Sequence, residues 1–394
     1  MPKAHSNQAM ARILPGPPDS ITVAVLKVFV AVVLLSPSSL SAFQEFARGE
    51  LLLHTRTFVT YDSNVFAEED GKEDFVFGLN PELQYVRQAG RGDLSAQTGI
   101  VLARHLDFND GDYEDFYVIL AAGYPVSPTS PFSGGAEASF RQDSTINESL
   151  NQRTRADRLS VNLSNNYRLN PRIGLNNSFR YTHSNTRGFS EVESFGGSFG
   201  STYFHSENLG FNITYRIRRT TSTGRTRSRQ DNLNQAVTTG ATGQLTTRVS
   251  GNISVGVQNT QILRGDGSDR NRIVFATGLD WAARPNTTMS LDGERDIDLS
   301  PEDRTIERTS IRIGLNQRLN PKISANLGAG YRLSEFSGLT SDRDHTYLGT
   351  AGLSYGFTQR WSAALDYAFN HTDSERRDQK FDRHTVTLST SYTF

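Results

Sequence analysis

The 394-residue sequence has no cysteine. An exported chain of this size could use disulfides, so the fold is expected to hold without them. Long apolar runs are nearly absent. After Ile21–Leu35 no stretch reaches the length of a spanning helix, which excludes a helical membrane protein. Neither charge is in excess: 41 Lys and Arg face 42 Asp and Glu, for a formal net charge of −1. A nucleic-acid-binding face needs a basic excess, so no nucleic-acid partner is expected. Catalytic signatures are scarce as well. Asp344-His345, His371 and Asp382-x-His384 lie near the ends of apolar segments, but no Gly-x-Ser-x-Gly elbow accompanies them. The acidic loops Asp107–Asp115 and Gly265–Asp269 lack the spacing of an EF-hand. No enzyme, metal or cofactor is expected.

What the chain does have is clearest at its end, Phe381–Phe394 (FDRHTVTLSTSYTF). His384, Val386, Leu388, Thr390, Tyr392 and Phe394 share one face. Arg383, Thr385, Thr387, Ser389, Ser391 and Thr393 share the other, which is the period of a β-strand. An apolar strand ending on an aromatic suits an outer-membrane barrel, where the last strand closes against the first and leaves no edge. Leu388, Tyr392 and Phe394 are the residues expected to be read by the barrel-assembly machinery. At the other end, an apolar run of about 15 residues is broken by Ser36-Pro37. It is followed by Ser39-Leu40-Ser41-Ala42, which reads as a secretory signal peptide cut after Ala42. The expected domains are therefore 1–42, signal peptide, and 43–394, barrel.

Between these ends one motif repeats. Alternating segments such as Leu209–Ile217, Ile323–Leu333 and Trp361–Phe369 are joined by connections of two kinds. Short turns are expected near Gly90, Pro128, Pro171, Arg219, Thr247, Pro285, Pro321 and Thr358. Long polar loops are expected at Ala67–Asp74, Asn109–Asp115, Ser184–Tyr203, Arg264–Asn271, Ser300–Thr305, Glu335–Asp344 and Thr372–Lys380. Short turns on one rim and long loops on the other is the outer-membrane arrangement. Eight short turns with both termini on the same side imply a transmembrane antiparallel up-and-down barrel of about 18 strands. The count falls to 16 if the weakly patterned Thr221–Gln230 stands outside the wall. A β-propeller or β-solenoid shares the period, but neither accounts for the terminal Phe or for alternating connection lengths. Tyr167, Tyr215, Trp281, Tyr355, Phe357, Trp361, Tyr392 and Phe394 sit near segment ends, as interfacial girdles require.

A wall of this size encloses an aqueous lumen unless something fills it. Parity places Arg141, Arg180, Arg216, Asp280, Asp292, Glu294, Arg312, Arg332 and Asp366 on the water side, with Glu137 among them. If the two signs segregate, they set a transverse field; otherwise they are ordinary paired surface charges. The Gly- and Ser-rich Ser184–Tyr203 is the candidate for a loop folded inward.

The step Tyr61-Asp62-Ser63-Asn64-Val65-Phe66 follows the first alternating segment. Together with the RLNPRI and RLNPKI turns and the terminal aromatic, it resembles the β-barrel porin family often encoded beside exopolysaccharide synthesis and export genes. The resemblance covers the whole of 43–394. It implies a pore in the outer membrane of a Gram-negative-type bacterium, passing polar solutes or a nascent exopolysaccharide. Its implied partners are the lipid itself, the assembly machinery and polysaccharide export components. The competing expectation is a non-conducting structural or adhesive barrel whose loops are the working surface.

Overall fold

In a computed structural model the described residues are 44–46, 48–89, 92–124, 130–147, 150, 152–224, 229–265, 268–302, 304–337, 341–376 and 379–394. The segment read as a signal peptide lies outside them, as do the turns expected near Gly90 and Pro128. Among the described residues, beside a separate two-stranded ladder, one antiparallel sheet of nineteen strands makes up the fold. Its smallest member, Gln44–Phe46, pairs only with the strand that follows it. The remaining eighteen form a closed wall: β1 Gly49–Asp62, β2 Asp74–Ala89, β3 Gly92–His105, β4 Tyr113–Tyr124, β5 Phe132–Asp143, β6 Ala156–Asn170, β7 Ile173–Thr186, β8 Glu191–Phe204, β9 Leu209–Thr223, β10 Gln230–Gln244, β11 Val249–Arg264, β12 Arg270–Arg284, β13 Thr287–Leu299, β14 Thr305–Arg318, β15 Ile323–Ser337, β16 Asp342–Gly356, β17 Trp361–Ser374 and β18 Phe381–Thr393. Each pairs with its sequence neighbour. β1 closes on β18 from His54↔Thr393 to Asp62↔Thr385. The only helix among the described residues is the single turn Asn109–Gly111.

The faces follow the alternation. Phe199 (59% exposed), Ile213 (57%) and Leu388 (53%) all point outward. Leaving a large apolar side chain in water forfeits about 1.5–3 kcal/mol. A whole band of them is stable only against hydrocarbon. Rings gather at the band's two edges. Phe357 stacks on Trp361 at 4.3 Å and Tyr392 meets Phe394 at 4.6 Å near the turns; Tyr331 meets Tyr347 at 5.3 Å near the loops. β1 departs from the simple pattern because Phe58 points inward. It lies over Gly78, where a Cβ would fall 1.9 Å from the ring.

Four of the short turns share one device. The Asn170 side chain accepts hydrogen bonds from the Arg172 and Ile173 amides at 2.8 and 2.9 Å, and Asn320 does the same for Lys322 and Ile323. Thr246 and Thr358 hold their turns through the hydroxyl. These are Asx- and Ser/Thr-turns, in which the side chain replaces a missing backbone partner.

One expected turn is misplaced. Arg219 lies inside β9, and the connection is His205–Asn208, held by Ser206 Oγ accepting the Leu209 amide at 3.1 Å. The correction restores an even hairpin spacing. It also corrects Ser184–Tyr203, which is no long loop: Glu191–Phe204 is wall strand β8, so it cannot fold inward. Its Gly and Ser residues are the small inner-face residues of a strand. Thr221–Thr223 and Gln230 are likewise strand ends, which excludes the count of 16.

Candidate functional site: a hairpin folded into the barrel lumen

β9 and β13 have three strands between them, about 19 Å along a wall with 4.8 Å strand spacing. Their upper halves nevertheless touch. Arg218 donates to the Ile297 carbonyl at 2.6 Å, and its other terminal nitrogen lies 3.1 Å from Asp296 and 3.6 Å from Asp298. Thr220 donates to Asp298 at 3.3 Å. On β10, Asn234 reaches the Ile297 carbonyl at 3.4 Å and Asn232 reaches Thr305 at 3.3 Å. The ladder explains how this is possible. β12 and β13 pair only up to Phe275↔Arg295, whereas β12 continues beside β11 to Thr260↔Arg270. Above Phe275 the loop-end half of β13 has parted from β12 and turned into the lumen, carrying the end of β14, which stays paired with β15 up to Thr305↔Ser337. Gly293 stands at the departure point, where a Cβ would lie 3.1 Å from Thr277 and 3.5 Å from the Phe275 ring.

Burial holds the tip in place. Ile297, Leu299 and Ile306 are 3%, 6% and 3% exposed, and the inner-wall residues Val274, Ala236 and Gln258 are equally buried. Three such aliphatic side chains contribute roughly 5–9 kcal/mol at most. The fold also rescues two charges of lipid-side parity: Arg295 is ion-paired with Glu307, which Arg272 also reaches at 3.1 Å. The tip is tethered at its far end. The Ser190 amide donates to the Pro301 carbonyl at 3.0 Å, Arg376 binds Glu302 at 3.0 Å, and Arg304 binds Asp342 at 2.6 Å. The guanidinium carbons of Arg304 and Arg376 lie 5.1 and 4.4 Å from the Phe336 ring centroid.

A second segment covers the opposite side of the mouth. Between β5 and β6, Ile146–Asn147 pairs with Gln152–Arg153. Asp115 accepts both the Ser144 amide (2.8 Å) and its hydroxyl (2.7 Å), and Arg153 donates to the Val65 carbonyl at 2.8 Å. Burial, and then the charge of Arg383, hold the Arg153 guanidinium below its usual range. Here the Tyr61–Phe66 motif finds its role. Asp62 takes a bidentate bond from Arg383 (2.9 and 2.6 Å), and Asn64 bonds the Glu68 and Asp382 carbonyls at 2.7 and 3.1 Å. The motif pins the loop end of the closing seam between β1 and β18.

Charge is distributed by wall. The inner face of β6–β9 carries Arg158, Arg168, Arg180, Arg216 and Arg218 and no acid; the inner face of β13 carries Asp292, Glu294, Asp296 and Asp298 and no base. Because β13 leaves the wall, its acidic row confronts the arginine row across the lumen. The Arg218–Asp296 contact separates two cavities. That on the turn side is about 480 Å³ and is lined by Arg180, Arg216, Arg218, Glu294 and Asp296 among small hydroxyl residues. That on the loop side is about 640 Å³ and is lined by Arg158, Thr220, Asp298 and Arg308, with Ile146 and Asn147.

The nine expected pore-lining residues all lie on inward parity but do not form one site. Arg180, Arg216 and Glu294 share the turn-side cavity. Arg141 stands over the Tyr117 ring at 5.8 Å. Asp292 registers with Arg312, and Arg332 is buried between Ser310 and Thr346. Asp280 lies between Ser250 and Ser290, and Asp366 between Gly352 and Thr387. Sequence reasoning missed Arg218, Asp296, Asp298, Arg295, Arg272 and Glu307. The available signal was the opposite pair Arg295 and Glu307 on lipid-side parity. The histidines weighed for catalysis lie on the outer face: His371 is 2.6 Å from Asp382, and His345 and His384 accept or donate to Tyr331 and Tyr367. Of the acids of Asp107–Asp115, Asp112 accepts the His105 amide, Glu114 pairs with Arg104 and Asp115 accepts from Ser144. Among the described residues no cluster of metal-ligating side chains occurs.

A closed eighteen-stranded wall with an apolar outer band and a charged lumen defines a porin-like outer-membrane β-barrel. More particularly, residues 211–394, from β9 to the end, match the family described as "Putative beta-barrel porin 2". No curated protein matches the chain. Among solved structures it is similar to the siderophore receptor PirA from Pseudomonas aeruginosa, at 10% identity and TM-score 0.48 over 87% of this chain and 80% of that one. It is similar to the FrpB iron transporter from Neisseria meningitidis at 8% identity and TM-score 0.49, over 87% and 81%. It is also similar to Pseudomonas aeruginosa OpdK, crystallised with vanillate, at 12% identity and TM-score 0.45, over 89% and 100%. Identities this low say nothing of cargo.

Proposed function

We propose that this protein is a diffusion channel for polar solutes across the outer membrane, with the β13–β14 tip as its constriction. The observation that carries the reading is the confrontation of acidic and basic rows across a lumen that keeps a cavity lined by charged groups on each side of the contact. Such a pairing orients a dipolar solute as it passes. The nine inward residues and the Arg218 contact set selectivity. Leu388, Tyr392 and Phe394 present the strand that the assembly machinery reads. A nascent exopolysaccharide, with export components docked at the rim, is the finer cargo suggested by the Tyr61–Phe66 and Asn-Pro signatures. A polymer would have to displace the tip, whereas a small solute would pass beside it.

The second reading, a non-conducting barrel, is favoured by the tethers at Ser190, Asp342 and Arg376. Single-channel recording of the refolded protein in a planar bilayer separates the two. Stable conductance steps support the channel. Silence from protein shown to be inserted, by heat-sensitive gel mobility, sinks it.

A further inference from the structure

We infer that the turn-side cavity is a binding subsite for a monocarboxylated, polyhydroxylated solute of the sugar-acid class. This rests on the channel reading and names what the channel holds. In register, Arg180 on β7 and Arg218 on β9 flank Gly196 of β8, and Ser178 and Arg216 flank Ser198 one step nearer the turns. Three guanidinium groups thus stand around two small residues. They are not equally committed. Arg218 is bound by Asp296 and Asp298. Arg180 spends only its Nε, on Asn162 at 2.6 Å, which leaves its terminal nitrogens toward the cavity. Arg216 lines the same cavity and makes no hydrogen bond or ion pair with a described residue. Arg218 is neutralised by Asp296, and Arg295, which also lines the cavity, by Glu307, so two cations remain against Glu294.

A guanidinium presents a fork that a carboxylate matches with two parallel bonds. Beside the guanidinium groups stand the hydroxyls of Ser164, Ser178, Ser194, Ser198, Thr214 and Thr238, and the apolar Leu163, Ile217 and Phe275 also border the cavity. The lining hydroxyls exchange hydrogen bonds with a sugar's hydroxyls. Glu294, on the far side, accepts from them. The volume of about 480 Å³ lies in the range of small-molecule sites.

D-glucuronate is the probe, with D-glucose and acetate as controls, recorded against single channels in KCl. Glucuronate should interrupt the current at concentrations where glucose and acetate do not. Arg180→Gln and Arg216→Gln should each raise the required concentration about ten-fold. Equal effects of glucuronate and glucose, or of glucuronate and acetate, overturn the subsite while the conductance itself stands. Titration calorimetry on the refolded protein reads the same site without conduction. Glucuronate heat lost in the double variant supports the subsite even if the bilayer is silent, and absence of heat in the parent protein overturns it.

A different observation carries a second inference: the β12–β13 seam is built to close. Continuing the register beyond Phe275↔Arg295 would set Val274 against Asp296, Ile273 against Ile297, and Arg272 against Asp298. Every pair keeps its parity, with Ile273–Ile297 outward and Arg272–Asp298 inward as an ion pair. Arg295 and Glu307 turn outward as a pair, Arg295 as far from its strand end as Arg219, which faces outward paired with Asp231. Ile273, at 64% exposed, waits on the outer face. We propose that the tip has two positions, folded across the lumen and zipped into the wall, exchanging Arg218 for Arg272 as the partner of Asp298. Because the chain has no cysteine, disulfides can hold each position. Thr220→Cys with Asp298→Cys should hold a low conductance that reductant raises. Arg272→Cys with Asp298→Cys should hold a higher one that reductant lowers. Equal conductance in the two oxidised proteins, or failure of the second disulfide to form where the first does, overturns it.

Discussion

Shortening the β13–β14 tip is the most direct test of the constriction. Replacing residues 296–306 by a two-residue turn removes the crossing element and costs the β14–β15 ladder only its last two pairs, Thr305↔Ser337 and Ile306↔Phe336. The size of the effect follows from the geometry. Eighteen strands spaced 4.8 Å apart and tilted near 40° give a backbone radius of about 18 Å, and side chains reduce the free radius to about 13 Å. The open area is then roughly 500 Å². From Arg295 to Ser300 the tip extends five residues, about 17 Å at 3.3 Å each, and it is two strands, about 10 Å, wide. It covers roughly 170 Å², a third of the opening. The shortened protein should conduct about 1.5 times as well as the parent in a planar bilayer. It should also shift toward anions, because four acids (Asp296, Asp298, Glu302 and Asp303) and one base (Arg304) go with the tip. Heat-sensitive gel mobility establishes that the variant is folded. A folded variant with unchanged conductance and unchanged ion preference would refute the assignment of the tip as the narrowest point.

Three further outcomes are expected. Asp62→Ala strands Arg383 at the closing seam and should lower the unfolding free energy in urea by about 3–5 kcal/mol, since the Asp62 side chain is 2% exposed. The double variant with Arg383→Ala should recover part of that loss; independent, additive effects would show that the pair does not act as a unit. Gly78→Ala drives a methyl into the Phe58 ring and should destabilise by about 1–3 kcal/mol, and Phe58→Leu should restore most of it. Phe394→Ala should reduce the yield of folded protein assembled in cells while leaving the urea midpoint of the folded fraction nearly unchanged, because the residue is bound to the wall chiefly through its amide and the Leu53 carbonyl.

The wall was legible because its signals are local. Alternation gives the faces, and the Asn and Thr side chains that hold the short turns are written beside the strands they join. The turn at His205–Asn208 uses the same chemistry through Ser206, but without the Asn-Pro signature it did not stand out. The Gly- and Ser-rich run just before it read as loop instead. That run is rich in small residues because it faces Arg180, Arg216 and Arg218 across the inner surface. Composition alone cannot separate a strand kept small to make room from a loop kept small to bend.

The folded-in tip was hidden for a deeper reason. Parity says which residues share a face, not what that face meets. A charge of lipid-side parity is acceptable in two places: on the rim, above the hydrocarbon, or on an element that has left the wall. Arg219 and Asp231 are the first case, paired at 2.5 Å on neighbouring strands at the loop end. Arg295 and Glu307 are the second, and in sequence the two pairs look alike. The distinguishing fact is long-range. Arg272, an inner-face residue, also reaches Glu307, and an inner-face side chain can meet an outer-face one only if one of the two strands has crossed to the other's inside. That relation joins β12 to β14 past β13, and no periodicity along a single segment contains it. What the sequence does hold is the acidic row Asp292, Glu294, Asp296 and Asp298, with no base on its face. An unbroken row of one sign needs a partner surface of the other, and the arginine row of β6–β9 supplies it only when the strand bends inward.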